Sequence, residues 1–155
     1  MDSNLTRRQA RSFFLDSWRK FRQHRSLTPL EEVAVDWINE HPEFHQDLEK
    51  NQTIQEKDYS PEDGKINPFL HLSMHLSISE QVAMDNPPGI KSIYYELIRR
   101  TGSEHHAAHN IMDCLAEMIW TAQKQKSPLD FKKYSKSIQG LLKKEQSETS
   151  NAITH

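Results

Sequence analysis

The stretch Asn67-Pro68-Phe69-Leu70-His71-Leu72-Ser73-Met74-His75-Leu76-Ser77-Ile78 decides the fold class. From Leu70 to Ile78 every second residue is apolar, which is the period of a half-buried strand. Two features make it a helix instead. Asn67-Pro68 is an N-cap followed by Pro at the first helical position, where no backbone donor is lost because that N–H has no partner inside a helix. The chain also offers no second strand-like run to pair with it. The expectation is a helix from this cap to about Met84, apolar nearly all around and therefore central.

The same punctuation recurs on both sides. Thr28-Pro29 is again cap plus Pro, with Glu31 and Glu32 at the positive end of the helix dipole and Val33, Trp37 and Ile38 as the apolar stripe. Before it, Phe13, Phe14, Trp18 and Phe21 recur at helical spacing in a first helix over about 5–24, with Thr6 as its cap. His41-Pro42 turns the chain, since a residue before Pro disfavours α geometry, and a short helix to about Lys50 follows. Residues 51–66, dense in turn formers through Asp58-Tyr59-Ser60-Pro61-Glu62-Asp63-Gly64, form a loop. After Pro87-Pro88-Gly89 come a helix through Ile93, Tyr94, Leu97 and Ile98 that stops at Gly102, and a long one from Ser103 to about Lys124. A last helix starts at Ser127-Pro128 and runs through Phe131, Tyr134 and Ile138. The predicted fold is all-α: a single-domain helical bundle of six or seven helices over 1–144, with a disordered polar tail over 145–155.

Composition narrows the chemistry. The 155 residues hold 4 Gly and 1 Cys beside 9 His. No two glycines have the spacing of a dinucleotide or phosphate loop. One cysteine excludes an intrachain disulfide and an all-Cys zinc or iron–sulfur site, so nitrogen and carboxylate are the ligands for any protein-borne metal. No run approaches the roughly 18 apolar residues of a membrane span, no apolar segment follows the N-terminus as in a secretory signal, and a reducing cytoplasm is the default.

Charge runs in blocks. Residues 1–27 carry seven Lys/Arg, 28–64 eleven Asp/Glu and 124–144 seven Lys. Such blocks are expected as solvated faces that attract one another weakly. A nucleic-acid surface ranks last, because the aromatics of the first block sit at core spacing rather than on an exposed stacking platform.

Seven histidines fall into groups that each contain a pair four apart: His41/His45, His71/His75 and His105/His109, with His106 beside the last. Four residues turn a helix by about 400° and raise it by about 6 Å, so such a pair points from one face and can grip one ion. Pro42 interrupts the first pair, which makes His41 a cap whose ring need not share a face with His45. With His71 at 0° on a helical wheel, Ile78 and Val82 lie within about 20°, so that pair faces inward. With His105 at 0°, Ala108, Met112, Ala116 and Ile119 form the expected stripe beside it, Asp113 follows at about 80° as a carboxylate ligand, and Trp120 packs below. Cys114, at about 180°, is expected off the core centre as a structural residue. His45, His71, His105 and His106 lie in first turns, where the dipole favours the neutral imidazole that metals bind. If successive helices alternate in direction, the Asn67 and Ser103 helices run parallel and their four histidines converge.

The runs Asp58 to Gly64, Asn67 to Gln81, Pro88-Gly89-Ile90, His41-Pro42-Glu43-Phe44-His45, and Glu104-His105 continuing through His109, Asp113-Cys114-Leu115, Glu117 and Trp120-Thr121-Ala122-Gln123 resemble a family of small bacterial proteins catalogued as domain of unknown function 1841. The resemblance spans about residues 7–135 of this chain. It implies a soluble, cytoplasmic, bacterial protein in which the His71/His75 and His105/His109 runs belong to the family's own pattern, with Glu more usual where this chain has Asp113. It implies no reaction.

Two functions from different classes follow. In one, His71, His75, His105, His109 and Asp113 hold Zn, Fe, Mn or Ni, with His45 and His106 as outlying members. An enzyme of this kind would activate water or perform redox chemistry at the metal, with Glu117 or Asp113 as proton acceptor. In the other, the protein is a non-enzymatic helical interaction module with hydrogen-bonded structural histidines, acting as a homo-oligomer or on a protein partner.

Overall fold

A computed structural model describes residues 7–49 and 67–153, with side chains described over 8–49 and 67–143. Among these residues there are seven α-helices and no strand: α1 Arg7–Arg22, α2 Pro29–Asn39, α3 His45–Glu49, α4 Pro68–Met84, α5 Ile90–Thr101, α6 Glu104–Gln125 and α7 Phe131–Ile153. A 3-10 turn over Pro42–Phe44 joins α2 to α3. The all-α expectation holds, and Leu70 to Ile78 is helical despite its alternation. The expected cap Thr6 and the expected loop at 51–66 lie outside the described residues. No helix among the described residues is long and apolar enough to cross a membrane.

Contacts gather the chain into two compact units, Met1–Ser77 and Ile78–His155. In the first, α1 packs on α2 and α3. Its core holds Phe14, Trp18, Ala34, Val35, Ile38, Phe44 and Leu48. α2 starts where Thr28-Pro29 predicts, with a full capping box. The Thr28 hydroxyl accepts from the Glu31 N–H at 3.2 Å, and the Thr28 N–H donates to Glu31 Oε1 at 2.9 Å. Lys20 Nζ donates to the other Glu31 oxygen at 2.8 Å, and Arg22 pairs with Glu49. The basic first block and the acidic second block thus meet as faces of one unit.

α4 opens on Asn67, whose Oδ1 accepts from the backbone N–H of Phe69 and Leu70 at 3.0 and 3.2 Å. It is less uniformly buried than its composition suggests. Phe69, Leu72, His75, Ile78 and Val82 form a buried stripe at steps of three and four, whereas Leu70 and Met84 are 55% and 68% exposed. The outer apolar residues follow from alternation laid on a helix, which sends every second residue around the whole circumference.

In the second unit α5, α6 and α7 pack against one another. Asp85 caps the start of α5 by accepting from the N–H groups of Gly89 and Lys91 at 3.1 and 3.0 Å. Gly102, at φ 75°, ends the helix in the left-handed conformation that glycine tolerates best. Ser103 caps α6 through His106 N–H at 3.2 Å, as expected. The start of α7 differs from expectation: Ser127 instead closes α6, its N–H donating to the Ala122 carbonyl at 3.0 Å, and Asp130 is the cap, accepting from Lys133 N–H at 3.1 Å. α7 then continues to Ile153. No Pro interrupts it, and Lys, Glu and Gln are good helix formers.

The face of α6 also differs. Ala107, Ala108, Ile111, Met112, Cys114, Leu115, Met118 and Ala122 are buried, which centres the stripe about 100° from His105, on the side away from Asp113. Cys114 is therefore in the core. Ala116 is exposed, and Trp120 is 59% exposed with Lys124 Nζ 4.7 Å over its ring, not packed beneath a site.

Candidate metal centre

Three imidazoles meet in the first unit. His41 lies between the end of α2 and the 3-10 turn, while His71 and His75 sit on successive turns of α4. His41 Nε2 lies 3.1 Å from His71 Nε2 and 3.2 Å from His75 Nε2. One nitrogen from each ring lies within 4.8 Å of the others. His41 and His75 are fully buried, and His71 is half-buried.

Aromatic neighbours fix the rings. The His75 ring stacks on Trp37, with centroids 4.1 Å apart and planes at 16°. His41 lies parallel to Phe44 at 5.2 Å, and Phe44 turns its edge to His71 at 5.4 Å. Nδ1 of His41 is 2.7 Å from the Trp37 carbonyl oxygen. A carbonyl only accepts, so Nδ1 carries the proton, and Nε2 of the neutral ring presents its lone pair to the other two histidines.

This geometry suits a shared ion. Nitrogens about 2.0–2.1 Å from one tetrahedral zinc stand about 3.3 Å apart. The two measured separations are within about 0.2 Å of that value. A carbonyl holding the far ring nitrogen is the usual device that orients a ligating histidine.

The inward placement of His71 and His75 read from the wheel is found, but their companion is a residue the sequence treats as a cap. His41 belongs to the group because α2 ends at Asn39 and the turn through Pro42 carries its ring back to α4. The signal for it is local: a histidine at a helix end, flanked by Trp37, Ile38 and Phe44, all of them buried. His45 takes another path, as the interrupting Pro42 suggests. Its Nε2 donates to the Ile38 carbonyl at 2.8 Å, and its ring lies 4.5 Å from Trp18.

In the second unit His105 and His109 also pair, with their Nε2 atoms 3.1 Å apart and ring planes at 77°. Both are half-buried, His106 is exposed, and Asp113 and Glu117 lie on the exposed side of α6. Cys114 belongs to a different feature. It lines a cavity of about 380 Å³ beside Met118, Ala122 and Tyr134, and its Sγ lies 3.8 Å from the Asn110 carbonyl.

Two comparisons give nothing: no curated protein and no solved structure matches the chain. A family model does match, the one described as domain of unknown function (DUF1841), over residues 6–140, and the chain belongs to that family. His41, His71, His75, His105 and His109 all fall inside the matched region.

Proposed function

We propose that this member of the DUF1841 family is a transition-metal-binding protein whose ion is held by His41, His71 and His75. The observation that carries the proposal is the approach of three Nε2 atoms to one point, with His41 held in the ligand tautomer by the Trp37 carbonyl. Zinc ranks first, since it accepts nitrogen ligands at this spacing without imposing a geometry of its own. Copper, iron and nickel also suit imidazole. His105 and His109, whose Nε2 atoms lie 3.1 Å apart, are carried as candidates on the sequence pattern and on the geometry of that pair alone. Asp113, which is exposed, is the weakest of the candidates read from the sequence.

Three histidines around an ion with one open position are the ligand set of catalytic rather than structural zinc sites, which favours water activation if the protein is an enzyme. The deciding experiment is elemental analysis of tag-free protein, with metal uptake by the stripped form. About one equivalent of a transition metal is expected. Less than about a tenth of an equivalent, with no uptake on titration, overturns the proposal and leaves the histidines as structural members of an interaction module.

A further inference from the structure

The cavity of about 380 Å³ in the second unit is built by other elements than the histidine group. Its size falls within the roughly 300–1,000 Å³ of small-molecule pockets. Met118 and Ala122 of α6 and Tyr134 of α7, all buried, give it an apolar floor, and Leu129, 43% exposed, lines it from the loop that joins the two helices. That loop is pinned at both ends. Ser127 N–H donates to the Ala122 carbonyl at 3.0 Å, and Asp130 Oδ1 accepts from Lys133 N–H at 3.1 Å. The cavity is therefore preformed, and a ligand does not have to order it on binding.

The polar part of the lining is biased. Two carboxylates, Glu117 and Asp130, stand against one ammonium, Lys133. The last turn of α6 and the first turn of α7 both border the cavity with dipole ends of opposite sign, so the side chains decide the balance. Two hydroxyls lean the same way. Tyr134 donates its only hydroxyl proton to Gln81 Oε1 at 2.7 Å, and Ser137 donates its own to the Lys133 carbonyl at 3.0 Å. What remains on both oxygens is lone pairs, which accept but do not donate.

We infer that this cavity binds a small organic ammonium ion with an apolar body, at a site separate from the proposed metal centre. The N–H groups of such a ligand suit Glu117, Asp130 and the two hydroxyl oxygens, while its hydrocarbon part covers Met118, Ala122 and Leu129. An organic anion would meet two carboxylates and find both hydroxyl protons already given. Glu117 and Asp130 are exposed, so the charge preference is that of a surface ion pair and is screened by salt.

The test uses the full chain with carbon-13 in its methionine methyl groups and follows Met118, whose NMR signal is identified by its loss in Met118→Leu. Three probes share one skeleton: protonated 2-phenylethylamine, 2-phenylethanol and 3-phenylpropionate. The expected result is a saturable shift of the Met118 signal, tightest with the ammonium. Glu117→Gln should weaken the ammonium about threefold and leave the alcohol unchanged. A Met118 signal that none of the probes moves at millimolar concentration overturns the site. Alcohol or carboxylate binding as tight as that of the ammonium, or an ammonium affinity unchanged in Glu117→Gln, overturns the assignment of its ligand.

Discussion

The imidazole of His75 stacks face to face on the indole of Trp37, with ring centroids 4.1 Å apart and planes 16° from parallel. A paramagnetic ion on His75 would therefore sit one ring away from a fluorophore. Copper(II) is expected to quench the tryptophan emission of the stripped protein with saturation at one equivalent. Three tryptophans contribute to that emission, so Trp37→Phe identifies the source: the quenched fraction should fall by more than half while copper still binds. Equal quenching in the variant would place the ion elsewhere.

Metal removal should destabilise the protein. An ion that binds only the folded state adds about 4 kcal/mol when its free concentration is a thousand times its Kd. Melting followed by circular dichroism, with and without a chelator, should show a lower Tm after stripping that recovers on adding back the ion. Coincident curves would count against the site.

His41 and His45 separate ligand from support. His41→Gln is expected to weaken metal binding by more than about a hundredfold, beyond the usual cost of losing an outer hydrogen-bond partner. His45→Gln, in a residue bonded to the Ile38 carbonyl, should leave metal stoichiometry unchanged. Competition with a chromophoric chelator measures both.

Acid stability should depend on Glu96. The Arg99 guanidinium, and then that of Arg100, holds its carboxyl down to about 2 from an ordinary 4.5. A carboxylate depressed in the folded state contributes stability that is present above the unfolded value and lost as pH falls through the folded one. Wild type should thus melt above Glu96→Gln at neutral pH, with the gap closing between about pH 4.5 and 2. A gap that persists at pH 2 would mean the difference is not ionic.

Tyr94 adds an alkaline dependence of the opposite sign. Burial, followed by the charge of Glu104, pushes its phenol up to about 12 from 10.0. The neutral phenol is the form the fold favours, so its stability contribution is present below pH 10 and is lost as pH rises towards 12. The difference in absorbance between wild type and Tyr94→Phe during alkaline titration should show this phenol ionising late. An ordinary midpoint near 10 would contradict its burial.

Helix starts were the most legible part of the structure. Thr28, Asn67 and Ser103 all cap where their neighbours predict, because a cap is a local bond between a side chain and the next turn. Ser127 fails by the same logic, since its backbone is engaged in ending α6 and Asp130 holds the better position. The face of α6 is not legible in the sequence, because Ala116 and Ile119 are as apolar on paper as Ile111 and Leu115. Packing against α5 and α7 chooses between them, and a wheel of one helix does not contain that information. The place of His41 beside His71 is hidden for a related reason. A pair four apart is a property of one helix, whereas His41 meets His71 across 30 positions of sequence.

The group that orients His41 is a main-chain oxygen rather than a side chain. No codon change at position 37 can delete it, because every amino acid supplies the same carbonyl. Mutational scanning would reveal the three histidines and remain blind to the acceptor that aims the first of them. Only an alteration of the helix end itself, such as an insertion between 37 and 41, would disturb it. That part of the site is inherited with the shape of the backbone, not with the identity of a residue.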